Sequence, residues 1–519
     1  MYRREYTGQL EFENFYLPFG GKLRSDNRWV ILSKQVPWDI IEQRYALNFK
    51  GSKTGKPAKS ARVALGALII KERLTTSDVE TVEQIRENPY LQYFLGFKGY
   101  RDEKPFDSSS MTHFRKRFDA QTLADINELI IANAIKSVDK KNRSSDDNDH
   151  SVAETKNEKS DKSEDSNKPS HKGKLLADAT CTPADIAYPT DLNLLNEARE
   201  KSEEIIDSMH FSLIGKKDKP RTYRQKARKD YLAVAKKRSS GKKNIRKAIG
   251  KQLGYLKRNL RNIEQMACEG LLVHLSKREY RNLLVISELY RQQQWMYDNH
   301  KQRIDDRIVS ISQPHIRPII RGKARSKVEF GAKISVSLVD GFSYVDKIGW
   351  DNYNESQDLI GQIEEYRRRF GYYPESVHAD QIYRNRKNRQ YCKDHGIRLS
   401  GPPLGRPRKL TAENAEELEL KKRQAYQDEI DRIAIEGKFG QAKRRFSLGC
   451  IMAKLASTAQ TVIMIGFIVM NLEKILSSGL SFLLHLLLRL LSAAQSQMQR
   501  ESRSNYRLYS EKLSQSLVA

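Results

Sequence analysis

Apolar residues recur every three or four positions in several stretches before residue 137, and this spacing predicts short amphipathic helices. The clearest stretch is ARVALGALIIKERL at 61–74. Ser77 follows it, with Glu80 three residues later, which is the spacing of a helix-capping box. Residues 1–136 are therefore predicted to form a helical domain.

A basic cluster ends one of these predicted helices. In PFDSSSMTHFRKRF, Asp107 or Ser108 can cap a helix that carries Arg115 and Arg117 near its end. Several short helices with a basic one among the last suit a DNA-binding domain of the helix-turn-helix type. Arg115 and Arg117 are therefore candidate DNA-binding residues.

After residue 173 the pattern changes from helices to strands. GKLLADATCTP predicts one strand, and KVEFGAKISVSLVDGFSYVDKIGW predicts two more, joined at Asp340 and Gly341, because an Asp-Gly pair favours a tight hairpin turn. Helices and strands then alternate: a helix at about 355–370, the strand SVHAD, a helix from Ile382, the strand GIRLSG and a last helix. This order predicts an α+β protein whose mixed β-sheet is flanked by helices.

Two segments of unusual composition divide the chain. Residues 137–173 contain few apolar residues and many Ser, Asp, Asn and Lys residues, so we expect a disordered linker that cannot offset its ordering entropy by burial. Residues 199–305 are predicted to be an all-helical basic insertion between the first and second strands. The predicted domains are an N-terminal helical DNA-binding domain at 1–136, the linker at 137–173, the first part of a sheet-containing core at 174–198, the insertion at 199–305, the second part of that core at 306–475, and a C-terminal apolar helix and tail at 476–519.

The charge of the chain narrows its possible partners. The formal net charge of the 519 residues is +28, which points to nucleic acid, an anionic membrane surface or an acidic protein. The apolar runs at 461–470 and 480–491 are shorter than the roughly 20 residues of a membrane span, so buried helices or an association surface are expected and no membrane. The four cysteines have no metal-ligand spacing and the first residues lack an apolar signal, which predicts a cytoplasmic protein.

Positive charge is concentrated in the helical insertion. Residues 216–262 hold 19 lysines or arginines and two aspartates, with tyrosines between them. A charge run is usually a solvated face, but this excess favours contact with nucleic-acid phosphates. The candidate contacts are Lys242, Lys243, Arg246 and Lys247.

Three acidic residues stand out by their positions. Asp178 interrupts the apolar LLA of the first strand, and Asp380 ends the strand SVHAD. Glu436 shares one helix face with Arg432 and Lys443, because positions i, i+4 and i+11 fall within about 40° of each other. Acids on neighbouring strands and an adjoining helix can bind Mg²⁺ for phosphodiester cleavage. The simpler interpretation is a helix cap at Asp380 and a surface ion pair at Glu436, worth about 0.2–0.5 kcal/mol.

These motifs together carry a family resemblance. LLADAT, HADQIYRN and RIAIEGKFGQAK resemble the DDE transposases of bacterial insertion sequences, in particular the insertion-sequence-four and -five-like branch, whose third motif is Y-x-x-R-x-x-x-E, six residues and K. The spacing of Arg432, Glu436 and Lys443 is that of the family, whereas Glu429 stands where the family has tyrosine. The resemblance extends over most of the chain, including NPYLQYFLGF and SSMTHFRKRF near its start.

The resemblance implies an RNase H-like fold with the first acid on the first strand, the second after the fourth strand and the third on a later helix. It implies that all three acids are catalytic and bind two Mg²⁺ (or Mn²⁺) ions. The matching supporting residues, which assist the acids or contact DNA phosphate, are Arg432, Lys443 and Tyr383. The implied partners are double-stranded DNA, as terminal inverted repeats and target DNA, and further copies of the chain in a homodimer or higher oligomer. A bacterial cytoplasmic protein, bound to the nucleoid through DNA, is expected.

Two other functional classes stay open from the sequence. One is a non-catalytic DNA-binding protein, for example a degraded transposase that represses its own element. The intact acidic set argues against it, because DNA binding alone does not require these acids. The other is a metal-dependent nuclease without strand transfer, which would share every residue named above.

Overall fold

The computed structural model of the protein describes residues 11–18, 20–47, 49, 57–146, 171–320, 328–402 and 414–478, with the backbone alone for residues 12 and 137–146. Most of the predicted linker and the apolar run 480–491 lie outside the described residues. The chain divides into two compact units, one formed by Met1–Arg117, Asp125–Ser163 and Phe467–Ala519, the other by Phe118–Ala124 and Glu164–Gly466.

Seven α-helices precede the first described strand. They are α1 Arg28–Gln35, α2 Trp38–Ala46, α3 Ala61–Leu74, α4 Asp78–Glu87, α5 Pro89–Phe94, α6 Ser110–Arg117 and α7 Ala120–Asp146. The side chain of Ser77 accepts a hydrogen bond from the backbone N–H of Glu80 (3.1 Å), so the predicted N-terminal cap of α4 is present. Trp29 and Trp38 pack on Phe94, with ring centroids 5.2 and 5.4 Å apart, and bury the apolar faces of these helices.

Helix α7 extends further than the sequence pattern predicts. Residues 137–146, assigned to the linker, are its last ten residues. The stretch contains neither Gly nor Pro, the residues that most often end a helix, and its lysine and arginine are good helix formers. The boundary predicted at 137 is therefore too early.

Six strands form one mixed sheet. They are β1 Lys174–Pro183, β2 Arg317–Ile320, β3 Val328–Val339, β4 Phe342–Gly349, β5 Ser376–Ala379 and β6 Arg398–Leu399. The main order is β4-β3-β1-β5-β6, with β2 also paired to β3. Strand β3 is antiparallel to β1 and β4, whereas β5 is parallel to β1 and β6 is parallel to β5. Asp340 and Gly341 both have positive φ (49° and 75°), as a two-residue hairpin turn requires.

Four further helices lie between β1 and β2. They are α8 Asp191–His210, α9 Arg224–Ala235, α10 Lys242–Cys268 and α11 Lys277–Asp298. Their shared core contains Leu195, Leu256 and Leu289, each of them fully buried. The first of these helices is capped by Thr190 and thus begins eight residues before the predicted boundary at 199.

The sheet is flanked by α12 Leu359–Phe370, α13 Arg386–Asp394 and α14 Ala415–Arg445. The prediction that a helix begins at Ile382 is wrong. A single 3₁₀ turn, Gln381–Tyr383, occupies that position, and α13 begins only after Asn385, whose side chain caps it.

The last described helix, α15 Ala456–Ser478, contains the apolar run 461–470. Within the described residues it is the one helix long and apolar enough to cross a membrane, and 61% of its most apolar window is buried inside the protein. Buried core helices of other proteins pass the same criterion.

Candidate active site

Asp178 and Asp380 lie next to each other on neighbouring parallel strands. Ala177 of β1 is in register with Ala379 of β5; Asp178 is the next residue of β1, and Asp380 directly follows the last residue of β5. Parallel strands are about 4.8 Å apart, so the two backbones are separated by roughly that distance where the aspartates stand. The sheet therefore brings together two of the three acids that the sequence singled out.

The side chain of Asp178 is partly buried. One oxygen accepts a hydrogen bond from the backbone N–H of Ala179 (2.7 Å). Burial raises the pKa of Asp178 to about 6; the hydrogen bond and Arg432 oppose the rise, whereas the negative charges of Glu355 and Asp380 add to it. The site is a cluster of negative charge that its own cations do not fully neutralise.

Asp380 is exposed and also caps a turn. Its Oδ1 accepts a hydrogen bond from the backbone N–H of Gln381 (2.6 Å), which begins the 3₁₀ turn. The simpler interpretation of this residue as a cap is thus correct, and it is compatible with a second role because a carboxylate has further lone pairs.

Glu436 lies on α14 and forms an ion pair with Arg432, whose Nη1 is 2.8 Å from its Oε1. Arg432 also donates to Glu429 from Nη2 (2.7 Å) and Nε (3.1 Å). These hydrogen bonds raise the pKa of Arg432, and Glu429, at the position of the family tyrosine, makes the largest contribution. Since Arg432 also lowers the pKa of Asp178, it connects Glu436 to the pair of aspartates electrostatically.

Polar side chains on the part of α14 that precedes Glu436 hold the helix against the sheet. Asp428 is buried and accepts two hydrogen bonds from Arg398 of β6 (2.6 and 3.0 Å). His378 of β5 lies 3.7 Å from the same carboxylate. Asp431 pairs with Lys174 of β1 at 2.7 Å. The helix is therefore fixed to the strands that carry the aspartates.

Tyr383 ends the 3₁₀ turn that Asp380 caps, and it is fully buried. Burial, followed by the charges of Glu355 and Asp178, raises the pKa of its hydroxyl. Among the described residues this hydroxyl has no hydrogen-bond partner. A buried hydroxyl without a partner beside carboxylates suits a site that takes up a hydrated cation.

Glu355 was not predicted from the sequence. It stands in the 3₁₀ turn Glu355–Gln357 ahead of α12, and its Oε2 is 2.8 Å from Nζ of Lys333 on β3. The stretch WDNYNES offered one signal, an acid in the first turn after a strand, but such acids usually cap helices.

The acids are near each other, yet they do not form a finished metal site. In the part of the chain that the structure describes, no three Asp, Glu, His or Cys side chains converge on a point where a metal could bind. Their chemistry nevertheless fits Mg²⁺ or Mn²⁺: they are oxygen donors, Asp178 is partly buried among negative charges, and Tyr383 lacks a partner.

Lys443 is on the last turns of α14 and is partly buried. It lies eleven residues, about 17 Å along the helix, beyond Arg432. Arg432 and Lys443 therefore share a helix face, as the sequence predicts, but they are far apart along the helix. A role of Lys443 in phosphate binding stays a prediction.

The six predicted DNA-binding residues fall into two groups. Arg115 forms two hydrogen bonds with Asp78 (3.0 and 2.5 Å), and Arg117 donates to the hydroxyl of Tyr45 (3.0 Å). Both guanidinium groups thus have partners inside the helical domain. Exposed side chains are found instead at Lys242, Lys243 and Lys247, whereas Arg246 turns inward. It donates to the carbonyl of Tyr297 at 2.7 Å and stacks on its ring.

Two segments of the chain match known families. Residues 377–473, which contain Asp380, Arg432, Glu436 and Lys443, match the model "Transposase DDE domain". Residues 18–117 match the model "Transposase domain (DUF772)". The chain belongs to the DDE transposases of insertion sequences.

A relative of this transposase is "Uncharacterized protein ORF8 in nfe locus" from Rhizobium meliloti, 35% identical over 97 residues. The similarity covers 19% of this chain and 46% of the relative, so the two share about half of the relative's length. No solved structure matches the transposase.

Proposed function

We propose that this transposase binds the ends of its insertion sequence, cleaves the DNA there and joins the freed ends to target DNA. The observation that carries the proposal is the register of β1 and β5, which sets Asp178 and Asp380 side by side. Helix α14 adds Glu436, linked to Asp178 through Arg432.

The strand order supports an RNase H-like core. Without the short β2, the core strands in chain order are β1, β3, β4, β5 and β6, and the sheet order places the third, second, first, fourth and fifth side by side. The first acid lies on the first of these strands and the second directly after the fourth. This is the arrangement that the family resemblance implies.

The residues proposed to hold two Mg²⁺ or Mn²⁺ ions are Asp178, Asp380 and Glu436. When bound, the ions supply Lewis acidity for the attacking and leaving oxygens of a phosphodiester. In the first reaction, water attacks the phosphorus at the element's end, the bond to the 3′ oxygen breaks, and a 3′-OH is released. In the second, that hydroxyl attacks a phosphodiester of the target and displaces its 3′ oxygen. Arg432 supplies positive charge beside Asp178 in both reactions. Tyr383 is buried in the turn that follows Asp380.

The exposed ridge of α10 is proposed to contact DNA phosphates. Lys243, Lys247, Arg258 and Arg261 are exposed and fall within about 60° of each other around the helix axis. They extend over roughly 27 Å, and Gly254 lies between them on the same face, where a Cβ atom would meet no atom within 4 Å. This α10 ridge is open and basic, as a surface along a DNA backbone must be.

An assay on the element's own ends tests the proposal. The full-length protein is incubated with duplex DNA that carries the flanking inverted repeats, a target plasmid and Mg²⁺. End cleavage and joined products are expected. Cleavage without joining would identify a nuclease, and binding without cleavage would identify a DNA-binding protein; either result would contradict the proposal.

A further inference from the structure

Glu355 is positioned beside the segment that follows Asp380. Asn388 of α13 donates hydrogen bonds to the carbonyls of Ser356 and Tyr383, both at 2.8 Å. One amide group therefore ties the turn that carries Glu355 to the turn that follows Asp380. The side chain of Asn388 is buried, so solvent does not compete for these bonds.

The carboxylate of Glu355 is held in place by a lysine. Lys333 Nζ is 2.8 Å from Glu355 Oε2, and the two side chains are 13% and 20% exposed. The same Nζ donates to the carbonyl of Tyr353 at 2.9 Å. Lys333 lies on β3 opposite Cys181, three residues along β1 from Asp178.

The charge of Glu355 acts on the centre of the site. After burial and the hydrogen bond from Ala179, Glu355 is the main influence on the pKa of Asp178, ahead of Asp380. For Tyr383 it is the first influence after burial. Glu355 is therefore electrostatically part of the cluster that Asp178 belongs to.

We propose that Glu355 is a fourth carboxylate of the active site and a ligand of the divalent cation, and that Lys333 holds it in place while the cation is absent. The proposal rests on the metal-dependent function proposed above. It explains why the acids do not converge on one point. Lys333 pairs with Glu355 and Arg432 pairs with Glu436, so each of these carboxylates is held by its own cation. Neighbouring carboxylates repel each other inside a protein, where the effective dielectric constant is low, so each needs a counter-charge.

A purely structural ion pair between Lys333 and Glu355 would also join β3 to the turn before α12. The two roles differ in what metal binding does. For a structural pair, removing either partner lowers stability and leaves metal affinity unchanged. For a ligand held by a lysine, removing the acid weakens metal binding, whereas removing the lysine preserves or strengthens it.

The test measures Mn²⁺ binding to the full-length protein without DNA, from the electron paramagnetic resonance signal of free Mn²⁺. Glu355→Gln is expected to weaken Mn²⁺ binding at least about tenfold and to reduce the rise in thermal midpoint that Mn²⁺ gives. Lys333→Met is expected to bind Mn²⁺ at least as tightly as the wild type. Glu365→Gln, which removes a glutamate paired with Arg368 on α12, serves as the matched control and should bind like the wild type.

Equal Mn²⁺ affinity of wild type and Glu355→Gln, with end cleavage intact in both, would overturn the inference and leave the proposed function standing. A wild type that neither binds Mn²⁺ nor cleaves would overturn the proposed function, and the inference with it. Should Glu355→Gln fail to fold in chelator, Glu355→Asp replaces it. That variant keeps the charge but retracts it by one methylene, so unchanged affinity there would equally count against a ligand.

Discussion

Asp178, a proposed metal ligand, lowers the stability of the folded protein at neutral pH. Its pKa is raised to about 6 by burial and by the neighbouring acids, so the folded state prefers the protonated carboxyl group. Between pH 4 and 6 the folded state binds more protons than the unfolded state, and the contribution of this residue to stability falls as the pH rises through that window. Above pH 6 the cost is complete, at about 3 kcal/mol.

Replacing Asp178 by Asn is therefore expected to stabilise the protein in the absence of metal. At pH 7.5 in chelator the free energy of unfolding should rise by up to about 3 kcal/mol, and near pH 4 the gain should vanish. Urea denaturation at the two pH values measures both. Asp340→Asn, in a hairpin turn where Asn tolerates positive φ, is the control and should change little at either pH. An equal gain at both pH values would mean that the charge of Asp178 is not its cause.

The individual residues of the site were predictable to different degrees. Asp178 and Asp380 are marked in the sequence because they interrupt or end an apolar strand pattern, and the register of β1 and β5 gives them a common location. Glu436 is marked by the helix face that it shares with Arg432 and Lys443. Glu355 was missed because its proximity to Asp178 depends on a turn, tied by Asn388, that no periodicity reveals. The inward turn of Arg246 was likewise invisible, since its partner Tyr297 is 51 residues away.

Helix α14 shows why an element can be predicted while its placement cannot. Its apolar positions are sparse, and it is also held by polar contacts, among them those of the buried Asp428 with Arg398 and His378. Burial opposes ionisation of Asp428, but the hydrogen bonds of Arg398 and Gln424 prevail and lower its pKa. The strands themselves were predictable from their apolar runs, whereas these cross-element pairs were not.

Removing the charge of Asp428 should therefore loosen α14. Asp428→Asn is expected to lower the free energy of unfolding by about 1–3 kcal/mol, because it weakens charge-assisted hydrogen bonds at a buried site. End cleavage should fall as well, since Glu436 is carried by the same helix. Glu419→Gln, which disrupts an exposed ion pair with Arg423 on α14, should cost at most about 0.5 kcal/mol. Equal effects of the two changes in denaturation would show that Asp428 is not an anchor.

The α10 ridge makes a prediction about salt. Neutralising Lys243, Lys247 and Arg261 to Gln should weaken binding to any duplex. The slope of log K against log salt should become shallower by about 0.9 for each DNA phosphate that the variant no longer neutralises. The control neutralises 421–423, an equally exposed basic triplet at the start of α14, and lowers the net charge by the same amount. If both triple variants change the slope equally, net charge rather than the ridge determines binding.

The organisation of the whole chain was predictable where composition changes sharply and less so elsewhere. The basic insertion is recognisable in the sequence from its excess of lysine and arginine, and the hairpin from the pair Asp340-Gly341. The end of the first helical region does not, because α7 continues in polar residues that are compatible with a helix. The division into two compact units depends on contacts between segments far apart in sequence, such as Arg73 with Glu473 at 2.5 Å.

The composition of residues 147–170 predicts that they can be exchanged freely. Replacing them with a Gly/Ser segment of equal length should leave the thermal midpoint within a few degrees of the wild type, because they offer almost no apolar side chains to bury. Differential scanning calorimetry measures the midpoint. A larger fall would show that the segment contributes to packing.

The acids remain the centre of the proposed function, and end cleavage by their variants tests it most directly. The comparison comprises the wild type, Asp178→Asn, Asp380→Asn, Glu436→Gln, the triple variant and the Asp340→Asn control, each with Mg²⁺ and with chelator. Each single acid variant should lose Mg²⁺-dependent cleavage while binding DNA as tightly as the wild type or more tightly. The triple variant should lose little more than a single one, because the three act as one unit. Cleavage at the wild-type rate by any of the three single acid variants would contradict the assignment of that residue and, with it, the shared metal site.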